Sequence, residues 1–313
     1  MAETSPVQLD SNAEAGFTLI ELLVSMAVLL TVSGIVVGAT MDLTRLGGTM
    51  TNRSDMHSGV RNATALLQQE VGQAGRVSLP VPSALAGAVG IGSATVLVTS
   101  TAGMFVGEQL SLDTGASQEI VTLTAVDTAA GSITANFQVP HAAGAPLSAT
   151  GGFFAGVIPT TMANGSTGNV LKIIGDINGD GNMVYIEYTC DLANGRLYRN
   201  VMPITAAVKP ALTVEQVLLD NLLPNPPNPN GVVPPCFLYQ EESFAGRTYV
   251  IGVAIMTTVR TQQRDAITRN FQTVTKALLN VAPRNVVNVW QLASLNYIDR
   301  VQPVPPSVMA LLP

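Results

Sequence analysis

The sequence predicts an α+β chain in which a long N-terminal helix, half membrane-spanning and half amphipathic, packs on an antiparallel β-sheet, with an additional small β-module. Three observations carry this. From Phe17 to Met41 the only ionisable residue is Glu21, and about 25 residues at helical rise exceed the ~20 needed to cross a hydrocarbon core. Beyond Met41, the residues Leu43, Leu46, Met50, Val60, Ala63, Leu67, Val71 and Ala74 recur near a 3.6-residue period to about Gly75. Past Pro82 the pattern changes to short alternating runs between glycine-containing turns, the period of strands with one buried face.

Composition narrows the class. The 313 residues suffice for a membrane helix and one or two further domains. Hydrophobic residues make up 47% and charged ones only 12%, which fits β structure packed by Val, Thr, Ala and Gly. The formal net charge is −6, and without a basic stripe no nucleic-acid partner is expected. Cys190 and Cys236 fit one disulfide in a periplasmic or extracellular domain, with two free buried thiols as the alternative. An ordinary secretory signal fits poorly, because residues 1–16 lack a basic region and the apolar run is too long.

The stretch Gly16-Phe17-Thr18-Leu19-Ile20-Glu21-Leu22-Leu23 sets the N-terminus apart. A carboxylate just inside an apolar run is costly, so Glu21 asks for a partner or a function. Cleavage between Gly16 and Phe17 would supply one, since a neighbouring subunit's Glu21 could pair with the new α-amino group of Phe17. A plain signal anchor with Glu21 in the headgroup layer is the simpler alternative. At these residues the chain resembles the type IV prepilin family, which includes the secretion-system pseudopilins. The resemblance implies a pilin-like fold, a prepilin peptidase that cuts after Gly16 and methylates Phe17, and a role for Glu21 in subunit registry. It also implies other minor and major pilins, and an inner-membrane assembly platform, as partners. Residues 1–16 contain Glu3, Asp10 and Glu14 but no Lys or Arg, so orientation rests on the cleavage motif rather than on flanking charge.

Within the span, Gly34 and Gly38 form a small-xxx-small pair. It permits close helix approach in a filament core, or is ordinary glycine tolerance in a membrane helix. Gly47-Gly48 is the expected flexible point, each glycine costing ~1 kcal/mol of helix relative to Ala. Arg45, Arg53, Asp55, Arg61 and Glu70 make the second half amphipathic, and His57 reads as a half-buried structural histidine. Pro80 and Pro82 are expected to close the helical region.

From 77 to 155 the residues read as an inserted β-module, with strands expected at Thr95–Thr99 and Glu119–Val126 and turns at Asp113-Thr114-Gly115 and Ala130-Gly131. Asp113, Glu119 and His141 show no ligand spacing and read as surface or turn residues. Residues 156–313 read as the pilin-like head. Asp176, Asn178, Asp180, Gly181 and Glu187 satisfy the calcium-loop pattern D-x-[DN]-x-[DN]-G-x₅-E. Yet Met183-Val184-Tyr185-Ile186-Glu187 should be a strand, and four extended steps carry Glu187 roughly 13 Å away. A β-hairpin turning at Asn178-Gly179 and Asp180-Gly181 is the main expectation, with a weak calcium site at Asp176, Asn178 and Asp180 as the alternative and no other cofactor.

Residues 203–235 are proline-rich and read as a surface loop tied down at Cys236. Tyr249–Val259 reads as a central strand, and a last strand is expected between Phe271 and Val281. The hairpin, Gly195-Arg196-Leu197-Tyr198-Arg199 and Ala282-Pro283-Arg284-Asn285-Val286 resemble PilW-like minor pilins. With no GxSxG, P-loop, dinucleotide fingerprint or CxxC motif, an enzyme is not expected. The expected function is a minor pilin of a type IV pilus. A type II secretion minor pseudopilin and a non-assembling membrane-anchored adhesin or binding protein are the alternatives. The precursor is expected in the inner membrane, single-pass with its head in the periplasm, and in an extracellular filament after assembly.

Overall fold

One helix sets the length of the molecule. The computed structural model describes residues 18–313, and α1 (Leu19–Gln73) runs 55 residues without interruption. Its two halves meet different surroundings. Every residue from Leu19 to Gly48 is exposed, whereas Met56, Val60, Ala63, Leu67 and Val71 are buried against the head. The buried stripe thus starts later than the sequence periodicity implies, because Leu43, Leu46 and Met50 precede the first strand that α1 meets and stay exposed. His57 is exposed rather than half-buried. The helix also passes straight through Gly47-Gly48, since a cost of ~1 kcal/mol per glycine does not break a helix that propagates on both sides. It ends before the prolines: Ala74 caps it, and Gly75 turns the chain at φ +85° and donates to the Ile174 carbonyl at 2.7 Å.

The next segment forms β1 (Ser83–Ala84), β2 (Gly92–Leu97), β3 (Gln109–Leu112), β4 (Glu119–Thr122), β5 (Ala125–Asp127), β6 (Ser132–Phe137) and β7 (Pro146–Ala149). Two antiparallel sheets result, in the orders β1-β7-β3-β4 and β2-β6-β5. They enclose a core of their own around Leu85, Leu110, Leu112, Val121, Leu123, Ile133, Phe137 and Leu147. The single strand expected over Glu119–Val126 is two. At its middle the backbone changes partner, Leu123 donating to Glu108 at 2.9 Å and Thr124 to Thr134 at 2.8 Å, so one run serves both sheets.

The head contains β8 (Gly152–Phe153), β9 (Val170–Gly175), β10 (Val184–Asp191), β11 (Arg196–Pro203), β12 (Val217–Asp220), β13 (Leu222–Leu223), β14 (Phe237–Phe244), β15 (Arg247–Arg260), β16 (Thr273–Val281) and β17 (Val301–Gln302). One sheet has the order β12-β11-β10-β9, and the other has β15 between β14 and β16, with β13 also on β15. Asn221, at φ +60°, carries the chain from β12 into β13 and so from one sheet to the other. The proline-rich stretch is therefore more than a loop. Its proline-free centre, Val217–Leu223, supplies ladder residues to both sheets, while residues 204–213 and 224–235 remain irregular.

Two helices that the sequence reading did not anticipate finish the chain, α2 (Arg284–Ser294) and α3 (Pro306–Leu311). The Asn285 side chain donates to the carbonyls of Gln73 and Gly75, docking α2 on the end of α1. Val308, Leu311 and Leu312 pack with Phe105, Phe153, Ile174 and Tyr185, so the C-terminus helps to join the β-module to the head.

Candidate functional site

Thr18 begins the site. It is extended and caps α1: its Oγ1 accepts from the Glu21 N–H at 3.3 Å, while the Glu21 carboxylate accepts from the Thr18 N–H at 3.0 Å and from its hydroxyl at 2.9 Å. This reciprocal box uses two otherwise orphaned helix donors and fixes the Glu21 rotamer. Glu21 is exposed, and among the described residues only Thr18 bonds to its carboxylate. Gly16 and Phe17, the proposed cleavage residues, lie outside the described residues.

Above Glu21 the helix surface is apolar even where the residue is not. Thr31, Thr40 and Thr44 turn their hydroxyls back to the carbonyls of Val28, Val36 and Thr40, each at 2.8 Å, which leaves their methyl groups outermost. A Cβ added at Gly34 or Gly38 would meet nothing within 4 Å, so both positions are open for a neighbouring helix. By length and composition α1 can cross a membrane, and its most apolar window is wholly unburied.

Residues 11–37 match the prokaryotic N-terminal methylation motif. The chain thus carries a type IV pilin-like N-terminus, and an apolar helix that supports membrane anchoring of the precursor follows it. The methylation motif ends before Gly38 and says nothing of the β-module or the head. No curated protein and no solved structure matches the chain.

The other residues singled out from sequence fall into separate places. Cys190, on β10, and Cys236, just before β14, form a disulfide that ties the two head sheets together. Asp176, Asn178 and Asp180 lie in the connection from β9 to β10, with Gly179 and Gly181 at positive φ. There the Asp176 Oδ2 accepts from the Gly181 N–H at 3.0 Å and the Asp180 Oδ1 from the Asn182 N–H at 2.8 Å. Both carboxylates staple the turn. Glu187 points elsewhere, accepting from the Tyr185 hydroxyl at 2.7 Å and from Lys209 at 3.1 Å.

Three charged clusters depart from the sequence reading, and the first corrects the assignment of Asp113, Glu119 and His141 as surface or turn residues. His141 is buried between Asp113 and Glu119, its Nδ1 3.1 Å from the first carboxylate and its Nε2 2.6 Å from the second. The two acids occupy opposite edges of the ring, so they do not converge with it on one ion. Burial pulls the His141 pKa down, but the hydrogen bonds and charges of Glu119 and Asp113 outweigh it and hold the imidazole above its usual value. Glu70, counted from sequence as polar helix surface, is buried and accepts from the Tyr188 hydroxyl and from the Arg199 guanidinium. Arg76 pairs with buried Glu108 and donates to the carbonyls of Gly103 and Gly181, joining the end of α1 to the module and the hairpin. Burial pushes the Glu108 carboxyl up to about 7 against the pull of Arg76.

Proposed function

We propose that the chain is a minor pilin subunit of a type IV pilus, cleaved after Gly16 and methylated on Phe17 by a prepilin peptidase, and assembled into the initiation or tip complex. One observation carries the reading: α1, whose first residues lie within the methylation motif, projects an unburied apolar stretch from Leu19 to Met41 whose one carboxylate, Glu21, bonds only within its own cap among the described residues. Such a surface is stable only in lipid or against other apolar helices. In this reading the helix first anchors the precursor in the inner membrane with the head in the periplasm. The Phe17 amine of one subunit then meets Glu21 of another, and the apolar half passes from lipid into a bundle of like helices.

A head this large, with a second core inserted before it, suits an end position better than every repeat of a thin fibre. The chain would act through assembly with other minor and major pilins and the inner-membrane platform rather than through catalysis. Intact mass and N-terminal sequencing of membrane-extracted protein, with and without the peptidase, test this. The expected mature chain begins at N-methylated Phe17. A chain that keeps residues 1–16 in the presence of the peptidase would overturn the reading.

A further inference from the structure

The hairpin tip between β15 and β16 carries a basic, partly apolar surface. β15 runs antiparallel to α1. It starts at the far end, where Tyr249 packs with Val286 and Val289 of α2, and ends with Val259 and Arg260 beside Met56 and Asn52. Asn52 then clamps the tip, its Nδ2 donating to the Gln263 carbonyl at 2.8 Å and its Oδ1 accepting from the Gln263 N–H at 3.4 Å. The chain from Arg264 to Asn270 thus lies at the end of the head from which the apolar half of α1 emerges.

Charge in this tip is arranged without neutralisation. Arg260 and Arg264 stack over the same Phe271 ring, 4.6 and 5.3 Å from its centroid. Among the described residues neither they nor Arg269 nor Arg53 makes an ion pair. The tip's acid, Asp265, is buried, its carboxylate accepting from the N–H groups of Ile267 and Thr268 and from the Gln272 side chain, each at 2.8 Å. Nearby Asp42 pairs with Arg45 and Asp220 with Arg196, which leaves Asp55 as the exposed acid against four guanidiniums. Ile267 is 61% exposed.

We infer that this tip binds anionic phospholipid headgroups of the bilayer that α1 spans, an inference that rests on the membrane-span reading of α1. At 1.5 Å per residue Asn52 stands about 17 Å beyond Met41, of which the headgroup layer takes roughly 5–8 Å. The remaining gap, ~9–12 Å, is little more than one Debye length of ~8 Å, and the tip extends into it. Basic residues near an anionic surface are drawn to it additively, so the tip would hold the head down against the membrane before assembly.

The test reconstitutes the full-length chain, labelled with an environment-sensitive dye at Ile267→Cys, in vesicles carrying a spin-labelled lipid. Cys190 and Cys236 are bonded to each other and do not compete for label. Phosphatidylcholine vesicles are compared with vesicles containing phosphatidylglycerol, and flotation reports insertion separately. The expected result is roughly twofold or greater quenching in anionic over neutral vesicles, lost in Arg264→Gln/Arg269→Gln, with flotation equal throughout. Equal quenching in both lipids, or none while the protein floats, would overturn the headgroup proposal and leave the anchor intact. Protection of the label only when other pilins are added would overturn it in favour of an acidic protein partner. Failure to float would overturn the anchor and this inference together.

Discussion

The Glu21 carboxylate is bonded within its own cap, so in the proposed assembly a neighbour's amine must compete with the Thr18 N–H and hydroxyl. A charged partner wins that exchange, because the ammonium adds the attraction of a second full charge, which strengthens where apolar helices exclude water. Glu21→Ala is expected to insert normally in membranes yet to be severely depleted from sheared filaments by immunoblot, and normal incorporation would remove Glu21 from the mechanism. Glu21 was legible because a lone charge in an apolar run needs no tertiary information to be noticed. The His141 cluster was not, since its partners come from 28 and 22 residues away and meet only when the sheets of the module close. It has a measurable consequence. His141 has a folded pKa above its unfolded value of 6.5, and Glu108 is raised from 4.5 to about 7. Raised values mean that the folded state holds protons more tightly. Stability from Glu108 is therefore full below about 4.5 and lost towards 7, and that from His141 is full below 6.5 and lost as pH rises through its folded pKa. The melting temperature should fall from about pH 6 to about pH 8, and less steeply in His141→Gln, by differential scanning calorimetry.

Among elements, those with a strong local pattern were readable and those defined by contact were not. α1, the β9–β10 hairpin and β15 announce themselves through periodicity and turn glycines. β12 and β13 were hidden inside a proline-rich stretch, where composition outweighed the proline-free run Val217–Asp220. α2 and α3 were hidden because they are short and their apolar residues gain meaning only against Tyr249 and Phe153. The staple between Cys190 and Cys236 closes a separation of 46 residues, for which chain entropy gives about 4 kcal/mol. Cys190→Ser/Cys236→Ser should lower the denaturation midpoint of the head accordingly, measured by Tyr and Trp fluorescence in urea. The hairpin tip makes the opposite kind of prediction. Its Asp176 and Asp180 carboxylates already hold backbone N–H groups, so millimolar calcium should leave the melting temperature unchanged. A rise of several degrees would restore a metal role to this turn.

At the scale of the whole molecule, the β-module and the head are separate cores stitched where Arg76, Gly103, Glu108 and Gly181 meet and where Phe105 packs with Phe153, Val308 and Leu311. A side chain at Gly103 would come within 2.4 Å of the Gly181 carbonyl, so the two bodies touch backbone to backbone. The change in composition marks the segment in the sequence, but this joint is encoded by no local pattern. The unbroken course of α1 through Gly47-Gly48 has a different sort of consequence. A continuous helix is a keyed shaft: each residue turns it by about 100° and advances it by about 1.5 Å. The bearing of Glu21 around the axis therefore fixes the bearing of Met56 and of everything packed on it. In the proposed filament, whichever neighbour engages Glu21 would also decide, some 50 Å away, which side of the head faces outward. One residue inserted between the two glycines would leave both ends chemically unchanged and aim the head about 100° to the side.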